Sequence, residues 1–194
     1  MLDRLQDIDR AATLAVNSLN TPVSDAFWQI MSDTGIWIPF YVALIIWMIA
    51  KLGVRRALVI IASIAVTVLL CDQIANLVKD TAGRLRPCYD SWCVQGGLHI
   101  LERRTGLYGF FSAHAANAFG LAICAIVGIR SDIRHRYPRF ESFMLIWASL
   151  VALSRVFVGK HFLGDILAGS AVGLIIGYLT ARLARQIMYR LGIF

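Results

Sequence analysis

Five apolar stretches, each long enough to cross a lipid bilayer as a helix, leave this 194-residue chain little choice of fold. They run over residues 35–52, 57–78, 112–129, 140–156 and 165–183. A hydrocarbon core of ~30 Å takes about 20 helical residues to span, and about 17 suffice at the lower end. Inside such a core every backbone N–H and C=O must be paired within its own segment, which selects helices. Composition agrees: 58% of residues are hydrophobic and 16% are charged, against about 25% charged in an ordinary soluble domain. The expected fold is therefore all-α, an integral membrane bundle of about five transmembrane helices.

Residues 2–19 read differently. Leu2, Leu5, Ile8, Ala12 and Ala15 or Val16 recur at helical spacing, while Asp3, Asp7 and Asp9 break any continuous apolar core. That pattern predicts an amphipathic helix, either lying along the membrane interface or packed on the bundle, and it is not that of a cleavable signal peptide. Asn20-Thr21-Pro22 ends it, and a short second helix is expected over 24–32. The chain thus divides into an N-terminal interfacial segment, 1–34, and a membrane domain, 35–194.

The net charge of +7 lies mostly at one set of helix ends: Lys51, Arg55 and Arg56, then Arg130, Arg134, Arg136 and Arg139, then Arg182, Arg185 and Arg190. The positive-inside rule puts these ends in the cytoplasm. Five spans then leave the termini on opposite sides, and the connections 79–111 and 156–164 meet on the outer face. No Lys/Arg stripe interleaved with aromatics suggests a nucleic-acid partner. Cys88 and Cys93, spaced C-x4-C in the outer connection, are candidates for a disulfide or stand as free thiols. Cys71 and Cys124 read as small apolar fillers. The scattered Cys and His show no metal-ligand spacing, so neither a metal nor a cofactor is expected. Gly169, Gly173 and Gly177 recur every four residues on the last span, a pattern that lets helices approach closely.

Chemistry gathers at the outer ends. Between two apolar segments stands Ser154-Arg155-Val156-Phe157-Val158-Gly159-Lys160-His161-Phe162-Leu163-Gly164-Asp165. Ionisable groups at such a place are costly unless paired, solvated or used. Asp165 follows His161 by one helical turn, so the carboxylate can hold one ring nitrogen and leave the other free as nucleophile or base. Arg155 offers a planar fork of donors suited to a phosphoryl group. The alternative is a capped helix start with snorkelling charges. Lys79 and Arg86, separated by a Gly-containing turn, make either an anion site or a basic anchor for head groups; Asp72 and Asn76 share the helical face of Lys79 and would orient it or Arg86. Ser112 is a good N-cap for the third span, whose first N–H groups would face an anion. His114, in its first turn, can give a proton to a leaving oxygen, with Asn117 three residues on to hold its ring.

Lys79-x6-Arg86-Pro87, Ser112-Ala113-His114 and Ser154-Arg155-x3-Gly159-x-His161-x3-Asp165 together resemble the three-part signature of the type-2 phosphatidic acid phosphatase family. That family also includes soluble acid phosphatases and vanadium haloperoxidases. The third part matches at every signature position. The second departs, with Phe111 and Ala113 where the family usually has Pro and Gly, and Leu163-Gly164 stands where Pro-Ser or Pro-Thr often precedes the Asp.

The resemblance implies metal-independent hydrolysis of a lipid phosphate or diphosphate through a phosphohistidine. His161 would be the nucleophile, Asp165 its orienting carboxylate and His114 the acid and then the base. Lys79, Arg86, Ser112, Ala113, Arg155 and Gly159 would bind the phosphate. Undecaprenyl diphosphate is the first substrate expected, with phosphatidylglycerophosphate and lipid A as rivals, in a bacterial inner membrane with the site facing outward. A non-catalytic lipid-phosphate binder or transporter is the competing class.

Overall fold

A computed structural model of the chain describes residues 2–193, the side chains of Leu2 and Asp3 lying outside the described set. Its elements are helical throughout: α1 (Leu2–Asn17), α2 (Pro22–Ser32), α3 (Ile38–Leu52), α4 (Val54–Ala82), α5 (Ser91–Gln95), α6 (Ala113–Ile129), α7 (Pro138–Phe157) and α8 (Leu163–Arg190). A 3₁₀ turn over Pro87–Tyr89 precedes α5. Extended pairing among the described residues is confined to an isolated bridge between Leu85 and Tyr108. The protein is an all-α membrane bundle. α4, α7 and α8 are each long and apolar enough to cross a bilayer, and the shorter apolar helices α3 and α6 complete the five expected segments.

α6 is the axis of the bundle. Ala and Gly make up much of its length, it is buried almost throughout, and it packs against α8, α4 and α7. The contact with α8 depends on the glycine spacing. A Cβ added at Gly169, Gly173 or Gly177 would run into the carbonyl oxygens of Ser112, Ala116 and Gly120 in turn. Three successive turns of α8 therefore lie directly on the backbone of α6, the close packing expected of the stripe. A second core, with Met48, Ile60, Ile129 and Met144, joins α3 and α4 to the far ends of α6 and α7.

α1 turns its polar side to the protein. Thr13 and Asn17 are fully buried, while Leu5 and Ile8 are exposed. Asp9, Thr13 and Asn17 fall four residues apart, on one helical face. Asn17 donates from Nδ2 to the carbonyls of Val156 and Phe157 at the end of α7, and its Oδ1 accepts from the His99 N–H at 2.7 Å. Arg10 pairs with Asp90 at 2.8 Å. α2 follows through a capping box between Thr21 and Ser24 and stacks Trp28 on Phe157, ring centroids 4.1 Å apart. Leu5 and Ile8 thus face outward, and α1 docks through its polar face together with Leu14 and Val16, which pack against the core.

Of the two readings open for Cys88 and Cys93, the structure has the second: both are buried free thiols, and the possible disulfide is not formed. The N–H of Cys93 is capped by Asp90, and both side chains pack with Leu98 and Phe162 in a small apolar cluster. Burial pushes the Cys93 thiol up to about 12.

Candidate active site

The C-terminal ends of α4 and α7 and the N-terminal ends of α6 and α8 meet at one end of the bundle. The N-terminus of α6 is tied to that of α8 by a hydrogen bond from the Ser112 N–H to the Asp165 carbonyl, 3.1 Å. With the glycine contact below it, this fixes the Ser112–His114 turn against the His161–Asp165 turn.

Between α7 and α8 the chain reverses through Gly159, whose φ of +77° favours glycine. A Cβ there would also lie 2.9 Å from the His99 carbonyl oxygen. The Gly159 N–H donates to the Val156 carbonyl at 3.1 Å. Gly159 therefore makes the turn, and its N–H, expected to bind phosphate, is already used inside it.

The turn places His161 in the lining of a cavity of about 1270 Å³. Nδ1 of His161 lies 3.4 Å from Asp165 Oδ2, an ionic contact longer than a formed hydrogen bond; such bonds commonly tighten only with substrate bound. Nε2 lies 3.3 Å from Arg86 Nη1. A carboxylate beside Nδ1 and a cation beside Nε2 favour the neutral tautomer with the proton on Nδ1, leaving Nε2 unprotonated and accepting from Arg86. Burial, opposed by Asp165, lowers the His161 pKa to about 4, so the ring is neutral over most of the working pH range. Asp165 is fully buried. Its Oδ2 accepts from the Phe162 N–H at 3.0 Å, and its Oδ1 accepts from Arg84 at 2.6 Å.

The cations surround this pair. Arg86 is half-buried, donates from Nε to the Tyr108 carbonyl at 3.1 Å, and has its pKa lowered by burial. Lys79 ends a polar ladder on α4, donating to Asn76 Oδ1 at 3.4 Å while Asn76 donates to Asp72 at 3.3 Å. Arg155 is buried at the end of α7. It pairs with Glu102 at 3.0 Å and contacts the Ser32 hydroxyl, and its Nε has no partner among the described residues. Ser112 caps α6 through its Oγ, and the N–H groups of Ala113 and His114 have no partner among the described residues. His114 and Asn117 both line the cavity, but no hydrogen bond joins them, and Asn117 Oδ1 is unpaired. The expected support of the His114 ring by Asn117 is therefore absent.

Three contributors escaped the sequence reading. Arg84 sits inside the Lys79–Arg86 interval without a role there, yet it grips Asp165. Gly109 lies against the pair: a Cβ on it would stand 3.5 Å from both Asp165 Oδ2 and His161 Nδ1. Glu102 occupies Arg155, and Lys160 bonds the Arg103 carbonyl and Thr105 Oγ1 to hold the connection that carries Glu102. Each is set by contact across many residues, which spacing does not reveal. The cavity is also lined by apolar side chains of the spanning helices, among them Val68, Leu69, Leu121 and Val151. Two imidazoles, one carboxylate and three cations around a single space suit transfer of a phosphoryl group from a ligand with an apolar tail.

Residues 56–189 match the family model described as the PAP2 superfamily. Over 98% of its length the chain is 32% identical to a lipid A 4'-phosphatase of Bacteroides thetaiotaomicron, covering 83% of that protein. It is 28% identical to a lipid A 4'-phosphatase of Porphyromonas gingivalis over 92% of this chain and 74% of the relative. In fold it resembles the crystal structure of a transmembrane PAP2 type phosphatidylglycerolphosphate phosphatase from Bacillus subtilis, with a TM-score of 0.72, 20% identity, and coverage of 95% of this chain and 88% of that one.

Proposed function

Because the chain belongs to the PAP2 superfamily and is a membrane lipid phosphatase of that type, we propose that it hydrolyses a phosphomonoester on the head group of a lipid A-class glycolipid, with His161 as nucleophile. The observation that carries the catalytic reading is the His161–Asp165 pair, placed with Arg86, Arg155, Lys79 and His114 around one cavity that apolar side chains of the spanning helices also line. The activity named for the relatives supports the lipid A class over undecaprenyl diphosphate.

The chemistry follows from the geometry. Nε2 of His161 attacks phosphorus in line with the lipid oxygen, forming a P–N bond as the P–O bond breaks. His114 gives its proton to the departing lipid hydroxyl. Asp165 balances the charge that grows on the His161 ring and holds Nδ1–H. Arg86, Arg155, Lys79 and the N–H groups of Ala113 and His114 face the phosphoryl oxygens, where fixed donors contribute most. In the second half, His114 takes a proton from water, the oxygen attacks phosphorus, the P–N bond breaks and inorganic phosphate leaves. Before this, the phosphate must displace Glu102 from Arg155.

The test is phosphate release from a panel of lipid A, undecaprenyl diphosphate, phosphatidylglycerophosphate and phosphatidic acid by purified protein. Lipid A is expected to lose one phosphate with a kcat/KM at least about tenfold above the others. Preference for undecaprenyl diphosphate would overturn the substrate class. Binding of lipid without release by the native protein would favour the binder reading. EDTA is expected to leave the rate unchanged, and a loss restored by added metal would contradict the metal-free chemistry.

A further inference from the structure

The carboxylate that orients His161 has a second partner. Arg84 Nη1 lies 2.6 Å from Asp165 Oδ1, and Arg84 Nη2 lies 2.6 Å from Asp9 Oδ2. The other oxygen of Asp9 accepts from the Gly164 N–H at 2.8 Å, and Thr13 accepts from the Leu163 N–H at 3.0 Å. The first N–H groups of α8 are therefore capped from α1, by residues one turn apart on its polar face. Arg84 lies with its guanidinium carbon 4.2 Å above the Phe162 ring, and its carbonyl accepts from the Gly109 N–H at 2.9 Å. The side chain is held at both ends and across its face.

A fully buried carboxylate is costly without a charge partner. A neutral His161 does not supply one; Arg84 does. Arg84 in turn is balanced by Asp9. Resting on the phosphatase reading above, we propose that Arg84, anchored by Asp9 from the N-terminal helix, is the positioning residue of the His161–Asp165 pair, so that α1 forms part of the catalytic assembly. Arg84 fixes the Asp165 carboxylate in ionised form and in place, and by competing for its charge it keeps His161 readily deprotonated.

The charged and titratable groups that face His161 are Asp165 on α8, Arg86 before α5, Arg155 on α7 and His114 on α6. None of these changes when Arg84 is replaced. Removing the Arg84 charge leaves Asp165 balanced only by the more distant Arg86 charge and by His161, so His161 binds a proton more tightly. Since the nucleophile works as the neutral ring, the acid limb of kcat/KM must move to higher pH in Arg84→Gln. A shift of one pH unit or more is expected, with kcat lowered by about 100-fold and KM changed little, since other residues bind the phosphate. Arg84→Lys keeps the charge and is expected to restore the native limb. A limb that stays at the native pH in folded Arg84→Gln, with activity lost in both variants alike, would overturn the proposal.

Asp9→Asn covers the case in which Arg84→Gln does not fold. It is expected to lower kcat by about tenfold at unchanged KM. Native kcat, or a kcat loss that merely follows the folded fraction, would overturn it. Wild-type protein in the same assay separates the two ideas: phosphate release by wild type with unmoved variants refutes the role of Arg84 alone, whereas no release by wild type refutes the phosphatase reading beneath it.

Discussion

At the scale of single residues the account rests on charge kept in balance away from water. His161 is buried, and burial lowers its pKa to about 4, well under the ordinary imidazole value, which keeps the ring neutral. The sign is direct: the nucleophile must be unprotonated, its protonated form is disfavoured by burial, and so kcat/KM should hold as pH falls through 6 and drop only near pH 4–5. A pH–rate profile that halves near 6.5 would contradict the burial of the working ring. Glu102 supplies a second prediction. Its carboxylate sits on Arg155 where a phosphate oxygen must go, so Glu102→Gln should tighten inhibition by inorganic phosphate by about threefold or more, read as a lower inhibition constant. The motif residues were legible in the sequence because each part is local: His161 and Asp165 are one turn apart, and Ser112 and His114 share a turn. Arg84, Gly109 and Glu102 were not, because what they do is decided by a neighbour far away in the chain. Gly159 was legible as a position of the family signature, but its job is the left-handed turn, which only the backbone shows.

At the scale of elements, the two devices that bring the site together are the α6–α8 contact and the docking of α1. The glycine stripe was readable, since small residues four apart announce close packing. Its partner, the backbone of Ser112, Ala116 and Gly120, was not. Gly173→Val should cost stability although glycine is a poor helix former. Glycine gives up about 1 kcal/mol of helix propensity relative to alanine, but the new side chain meets the Ala116 carbonyl, and overpacking of that kind costs about 1–3 kcal/mol or more. Thermal unfolding in detergent should show a lower Tm; an unchanged or raised Tm would mean the helices can separate without loss. The N-terminal helix was legible as amphipathic, but its polar docking was not: Asp9, Thr13 and Asn17 meet N–H and C=O groups at the ends of α7 and α8 that have no partner inside those helices. The C-x4-C pair was read for spacing alone, and the 3₁₀ turn and capped helix around it bury two separate thiols instead.

At the scale of the whole molecule, the bundle sets a polar, cationic chamber at one end and the basic termini of α3, α4, α6, α7 and α8 at the other. Hydropathy and charge were enough to foresee this layout, since spanning segments and basic ends are properties of whole stretches and not of single contacts. The outward orientation expected from the positive-inside rule is tested by cysteines introduced at Thr105 and His135, both exposed, in a chain whose own thiols are buried. A membrane-impermeant maleimide should label the Thr105 position in intact cells and the His135 position only after permeabilisation; the reverse pattern would invert the topology. The central claim is that phosphate passes through His161. Its most direct test is to quench the enzyme in alkali during turnover of labelled lipid A and map the bound phosphate by mass spectrometry. The account predicts an alkali-stable, acid-labile phosphate on His161, absent from a folded and inactive His161→Ala variant. Turnover retained in His161→Ala, or phosphate found on another residue, would contradict it.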